Sequence, residues 1–391
     1  MNLDLLRRDT PGCADRLFLN SAGASLTPRP VMQAMLDYLQ QEEQLGGYEV
    51  ERQHADDYQL LYAELARLFN AAPHNFAFAW NATDAYSRAL SAIPFRSGDV
   101  ILTTADDYIS NHIAFFSLQK RFGVEVVRSR NLPGGDVDLD DFEQQLKQHR
   151  PVLVAVTHVP TNSGLVQPVE TIGQLCRQHE TWYLVDASQS AGQLVVDVQR
   201  IGCDFLNAPG RKFLRGPRGT GFLYISDRAL AAGLEPLFID RRGADWSSPD
   251  AYHPHPDARR FEQQEFGVSA LGLAEAVRYA NGVGIESIAA RDAELTGYLR
   301  QRLSTLGHLR LLDLGSVQCS LVTFDTPGHS LEEVTQLLTA RGVVHTVSLR
   351  SFALLDFEAK GVEWAIRFSP HYFNTHEELD AAVAILAELG R

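Results

Sequence analysis

From residue 76 to about 225 the chain repeats one unit, a short apolar run followed by an amphipathic stretch. The runs are FAFAW, VILTTA, VEVVRS, VLVAVTH, WYLVDAS, CDFLNA and GTGFLYIS. Between them YSRALSAI, NHIAFFSLQKRFG, DLDDFEQQLKQH and VETIGQLCRQH carry apolar residues at helical spacing. Near-continuous apolar runs need cover on both faces. The pattern therefore predicts an α/β fold, a mostly parallel sheet with helices on each side and ligand sites at the carboxyl ends of the strands.

At 391 residues the chain is long enough for a large domain and a smaller one. Residues 240–260, DRRGADWSSPDAYHPHPDARR, are rich in Pro, Asp and Ser without a period, and read as a long loop dividing the two. Beyond it lie the helical patterns ALGLAEAVRYANGVG and IESIAARDAELTGYLRQRLSTLG. The strand-like SLVTF and VEWAIRFS follow, alternating with the helical LEEVTQLLTARG and EELDAAVAILAELG, which together make a compact α+β lobe. The expected division is a large domain over 21–259 and a small domain formed by 1–20 with 260–391. The helical segment PRPVMQAMLDYLQQEEQL is expected to cross between the lobes.

A net charge of −14 with no basic stripe argues against a nucleic-acid partner. No apolar run approaches membrane-spanning length, and the N-terminus lacks the apolar core of a secretion signal, so the expected location is cytoplasmic with no membrane partner. Cys13, Cys176, Cys203 and Cys319 lie far apart with no C-x-x-C pair, so no metal site is expected and the four read as reduced, partly buried hydrophobes.

Three segments carry chemistry. WYLVDASQ ends an apolar strand on Asp186, a buried carboxylate that needs a partner, and places Gln189 three residues on. Taken alone, Asp186 also fits a loop-capping role. Lys212 sits in the Gly- and Pro-rich loop of FLNAPGRKFLRGPRGTGFLYIS, between two strands. Desolvation there, with Arg211 adjacent, would favour an amine able to lose its proton, although taken alone a surface lysine reads as well. FAFAWNATDAYSRAL reads as strand, turn and helix, so the N–H groups of Ala82 to Asp84 and the Thr83 hydroxyl can hold a phosphate at a helix N-terminus, with Arg211 as a second contact. An ordinary N-cap explains the same residues.

In this order the segments resemble the class V, fold-type I pyridoxal 5'-phosphate (PLP) enzymes over nearly the whole chain. That group holds cysteine desulfurases, cystine C–S lyases, isopenicillin epimerase-like enzymes and ergothioneine-pathway sulfoxide lyases. FLNSAGASLTPRPV, NATDAY, ADDYISNHIAFF, THVPTNSGLVQPV, VDASQSAGQ, GRKFLRGPRGTGFLY and IRFSPHYFNTHEELD carry the likeness. It implies a seven-stranded large PLP-binding domain, a homodimer whose sites are completed by the neighbouring subunit, and an amino-acid substrate. Transferred by position, Tyr108 stacks on the cofactor ring, Asp186 pairs its nitrogen and Gln189 approaches its oxygen. Lys212 holds it covalently and acts as the catalytic base, while Arg367 clamps the substrate carboxylate.

The departures narrow the reading. In VVHTVSLRSFALLDF, where desulfurases of the family carry the persulfide-forming cysteine, this chain has Ser348, Arg350 and Ser351. The family's His before the lysine is Arg211, and the Ser two residues earlier is Pro209. The pattern around Asn162, which the resemblance makes a substrate-binding candidate, is closer to the cystine lyases, and GRKFLRGPRG with EEQLGGYE is closer to the ergothioneine-pathway lyases. A turn that lends a hydroxyl to the partner's phosphate is blurred into QQEFGVSAL, leaving Ser269 as the candidate. Arg350, Tyr48, Arg52 and His371 are candidate pocket residues.

The expected reaction is β-elimination on a cysteine-derived amino acid, giving pyruvate and ammonia. Transamination and epimerisation share the same site, and a non-catalytic PLP-fold binding protein is the alternative from another class.

Overall fold

The computed structural model describes residues 1–264 and 267–390. The seven apolar runs form one sheet in the order Phe76–Ala79, Gly221–Ile225, Phe205–Pro209, Trp182–Asp186, Leu153–Thr157, Val100–Thr103, Glu125–Arg128. Gly221–Ile225 runs against both its neighbours and every other pairing is parallel. Helices Ala82–Ala92, Ile109–Phe122, Leu139–His149 and Val169–Gln178 make the crossovers.

Alternate residues along each strand feed opposite cores. Phe76, Phe78, Val154, Val156, Tyr183, Val185 and Phe222 pack into one cluster, while Ala77, Ala79, Leu153, Ala155, Leu184 and Leu223 pack into the other. This double burial explains why the runs are apolar throughout.

Gly267–Val283, expected on the small-domain side of residue 260, buries Ala270, Leu273, Ala274 and Val277 in the first of these clusters, against helix Ala55–Phe69. Arg29–Leu45, expected to cross between the lobes, lies against Gly267–Val283. A Cβ on Gly272 would meet the Met35 sulfur at 2.8 Å, so the two helices approach as closely as they do because that position has no side chain.

The stretch 240–260 is not the long loop its composition predicts. Ala244–Ser248 and Ala251–Pro254 pair as an antiparallel hairpin. Its side chains are largely exposed, Trp246 at 82 %, so no buried face imposes a period on the sequence.

In the small lobe a four-stranded antiparallel sheet, Arg310–Leu311, Val322–Asp325, Trp364–Phe368 and Thr346–Leu349, is covered by helices Ile285–Leu303, Leu331–Ala340 and His376–Leu386. Leu17–Phe18 pairs in parallel with Val343–Val344, tying the N-terminal residues to this lobe. Among the described residues no helix is long and apolar enough to cross a membrane.

Candidate active site

The carboxyl ends of Trp182–Asp186 and Leu153–Thr157 open into a cavity of about 190 Å³. It is lined by Asn81, Ala82, Thr83, Tyr108, Thr157, Val159, Thr161, Asp186, Ser188, Gln189, Pro209, Arg211 and Lys212. Seven residues singled out in the sequence thus meet in one space: Ala82, Thr83, Tyr108, Asp186, Gln189, Arg211 and Lys212.

Asp186 is buried as the last residue of its strand. One carboxylate oxygen accepts the Ser188 backbone N–H at 2.9 Å, and the other accepts the Asn111 amide at 3.1 Å. Burial raises its pKa, opposed by Ser188, by the Lys212 charge and by Asn111. The Asn111 amide also meets Asp107 at 2.9 Å, and Asp107 accepts from Thr103, Thr157 and the Tyr108 N–H. Asn111, Asp107 and Thr157 escaped the sequence reading. Asn111 was the accessible one: it lies one helical turn after Tyr108, on the face of Ile109–Phe122 that turns toward the strand ends.

Lys212 is buried and, among the described residues, its side chain makes no hydrogen bond or ion pair. Its pKa falls to about 7, mainly through desolvation and then the charges of Arg211 and Arg367, with Asp186 opposing. The turn that carries it is pinned from the small lobe. His371 Nε2 meets the Phe213 carbonyl at 2.9 Å and its Nδ1 meets Asp292 at 2.7 Å.

Arg215 donates to Leu26 O, Tyr372 Oη and Thr10 Oγ1 at 2.8, 2.7 and 2.6 Å, and its backbone N–H closes the turn on Lys212 O. His371 is therefore not a pocket residue, because both its ring nitrogens are spent inside the core.

At the start of Ala82–Ala92, Asn81 caps the helix by accepting the Asp84 N–H at 2.9 Å. The expected three-donor anion site is thereby reduced to Ala82 and Thr83. Arg211 lines the same end of the cavity, with Nη1 on the Gly23 carbonyl at 2.7 Å.

Arg367, on the strand Trp364–Phe368, reaches across to Thr161. Its Nη1 meets the carbonyl at 2.7 Å and the hydroxyl at 2.8 Å, and its buried Nε has no partner. Burial lowers its pKa to about 10, which leaves it charged at neutral pH.

Other expectations separate from this space. Asn162 donates to Asp356 at 2.5 Å and lines a neighbouring cavity. Arg350 stands in the turn Arg350–Phe352, 3.9 Å from Glu358 and 4.0 Å from Glu363, outside the lining of either cavity. Tyr48 is exposed, and Arg52 is paired with Glu49 on the same surface helix, Gly47–Gln53. Ser269 lies in the first turn of Gly267–Val283, off this cavity, and residues 265–266 of QQEFGVSAL lie outside the described residues.

The donor set fits PLP. Among the described residues Gln189 Oε1, on the cavity lining, and Asn207 Oδ1, on the next strand, are buried without partners and Lys212 is an unpaired amine, while Asp186 supplies a buried carboxylate and the Ala82 and Thr83 N–H groups with Arg211 an anion site.

The chain as a whole is similar to known proteins. The model of the family described as Aminotransferase class-V matches residues 17–382. A probable cysteine desulfurase of Methanothermobacter thermautotrophicus is 28 % identical over 398 residues, spanning 100 % of this chain and 98 % of the relative. The apo structure of cysteine desulfurase from Thermococcus onnurineus superposes with a TM-score of 0.91 at 26 % identity, over 99 % of this chain and 97 % of that one. The cystine C–S lyase C-DES, solved with its product cysteine persulfide, shares the fold with a TM-score of 0.86 at 23 % identity, over 97 % and 99 % of the two chains.

Proposed function

As a member of the Aminotransferase class-V family, with pyridoxal 5'-phosphate as its cofactor, this chain is an enzyme, and we propose that it is a C–S lyase that cleaves a cysteine-derived amino acid by β-elimination. The observation that carries the choice is where the thiols are. Cys13, Cys176, Cys203 and Cys319 are all buried, and no cysteine is among the residues lining the cavity. Cys319 comes within electrostatic reach of Arg367, but burial pushes its thiol up to about 12. Storing sulfur on the protein requires an accessible thiolate.

In this reading Arg367, which stands behind the cavity lining with a buried Nε that has no partner among the described residues, would take the substrate carboxylate, and the Ala82 and Thr83 N–H groups with Arg211 would hold the cofactor phosphate. Asp186 keeps its charge against the ring nitrogen. Bound PLP supplies an electron sink for charge developing at Cα. Lys212, whose lowered pKa of about 7 makes the unprotonated amine available near neutral pH, would accept the Cα proton at Nζ. The C–H electron pair becomes the Cα–Cβ double bond, and the Cβ–S pair departs on sulfur. The 2-aminoacrylic acid released takes up one water and yields pyruvate and ammonia.

Two subunits are part of the proposal. Ser269 is not among the residues lining the cavity of its own chain, and helix Arg29–Leu45 exposes Met32, Leu36 and Leu39 along one face, as a chain that pairs with a second copy would.

A desulfurase reading is favoured by the names of the relatives, and the products separate the two. The holoenzyme is incubated with cysteine, cystine, cysteine S-conjugates and their sulfoxides, without a keto acid. Equimolar pyruvate and ammonia, lost in Lys212→Ala, is the expected result. Alanine with sulfide on added thiol, and no pyruvate, would make it a desulfurase.

A further inference from the structure

A second and larger cavity, of about 490 Å³, opens between helix Ile109–Phe122 and residues 351–356 of the small lobe. It shares walls with the first. Tyr108 lines one and its neighbours Asp107 and Ile109 the other, while Thr161 lines one and Asn162 the other. Its surface is mostly apolar, built from Ile109, Ile113, Phe116, Phe352, Leu354 and Leu355.

Most polar groups around it are already spent. Asp356 is bound by Lys360 at 2.7 Å and by Asn162, and Asp106 accepts from Asn131 at 2.5 Å. Asp107 belongs to the network behind Tyr108.

Two groups are not spent. Arg128 has no carboxylate partner among the described residues, and its Nε is buried without a hydrogen bond while its guanidinium lies 5.6 Å over the Phe116 ring. His112 stacks on the same ring at 6.5 Å and 19°, with its Nδ1 buried and unpartnered. Desolvation lowers the His112 pKa and the Arg128 charge adds to the fall, with Asp107 and a bond to the Ala105 backbone opposing; the guanidinium is the permanent cation beside the ring. A large apolar space with a planar ring on its wall and one unmatched guanidinium fits a flat group that ends in an acid.

We propose that this cavity receives the substituent on the substrate's sulfur, that this substituent is planar and carries an acid group, and that Arg128 selects it. The inference rests on the β-elimination reading for its substrate and on the second cavity for its content. Cysteine itself leaves the space empty.

The test compares S-phenylcysteine with S-(4-carboxyphenyl)cysteine on the holoenzyme, reading Kd from the cofactor absorbance change within milliseconds of mixing, before turnover. The acid-bearing probe is expected to bind at least about tenfold more tightly than the neutral one, and Arg128→Met to collapse that ratio to about one. Should Arg128→Met fail to load cofactor, Ile113→Asp, at an exposed helix position, places a like charge in the cavity and is expected to invert the preference. Equal binding of the two probes by the wild-type enzyme, or a ratio unmoved by either variant, overturns the proposal. Pyruvate is measured on the same samples. Its absence alongside a collapsed ratio would remove the lyase reading and keep the pocket, whereas pyruvate with an unmoved ratio would remove the pocket alone.

Discussion

Asn111 donates its side-chain amide to Asp186 Oδ2 at 3.1 Å, from a helix that begins just after Tyr108. The bond joins the residue expected against the cofactor nitrogen to the helix beneath the one expected against its face. It also favours the ionised form of a carboxylate whose pKa burial raises. Asn111→Ala removes that support, so the Asp186 pKa rises further and the carboxylate is lost at higher pH on acidification. The acid limb of the kcat profile is expected to move to higher pH and kcat at neutral pH to fall about tenfold. Rate profiles of the two proteins check this, and an unshifted acid limb would contradict it.

The pKa of Lys212 makes a statement about the apoprotein. Folded, the amine titrates near 7, against an ordinary value of 10.5. Between those values the unfolded chain binds one more proton than the folded one, so stability rises with pH across that window, at no more than about 1.4 kcal/mol per unit. Below pH 7 the cost of charging the buried amine is present in full. Lys212→Met removes the term. Denaturant midpoints of both apoproteins from pH 7 to 10 should show the wild type gaining on the variant, and parallel curves would contradict a desolvated lysine.

Much of this was legible in the sequence because periodicity and partnered burial both leave marks. The runs ending at Asp186 and flanking Lys212 mark the sheet, the strand ends and two of the site's charges in the sequence itself. What stayed hidden depends on distance in space. Thr157 meets Asp107 across strands 50 residues apart in sequence, and no local pattern announces such a pair. The hairpin at 244–254 buries too little to have a period. Asn162 and Arg350 were placed in the site by position in a motif, yet Asn162 is tied to Asp356 and Arg350 stands outside the cavity lining.

His371 tests the difference between a pocket and its support. Buried between Asp292 and the Phe213 carbonyl, it fixes the turn bearing Lys212 without touching the cavity. His371→Ala removes the buried hydrogen-bond partner of both Asp292 and the Phe213 carbonyl, at a cost of about 1–3 kcal/mol for each group left unsatisfied. The expected result is a large loss of stability and a lower kcat, with KM for the amino acid changed less than threefold, because Arg367 is untouched. A KM effect that dominates would return His371 to the pocket.

The state of the four thiols bears on the chemistry most directly. Burial raises the pKa of Cys13, Cys176 and Cys203, with Asp204 adding to the rise at the latter two, and lifts Cys319 to about 12. At pH 7 none of these presents appreciable thiolate, and none is solvent-exposed. Iodoacetamide applied to the native holoenzyme should therefore leave pyruvate formation unchanged, while guanidinium should release all four thiols for labelling. Mass mapping of the alkylated cysteines against residual activity decides the matter. If activity falls in step with modification of a single cysteine, a protein thiol takes part in turnover, and the sulfur passes through the protein instead of leaving with the substituent.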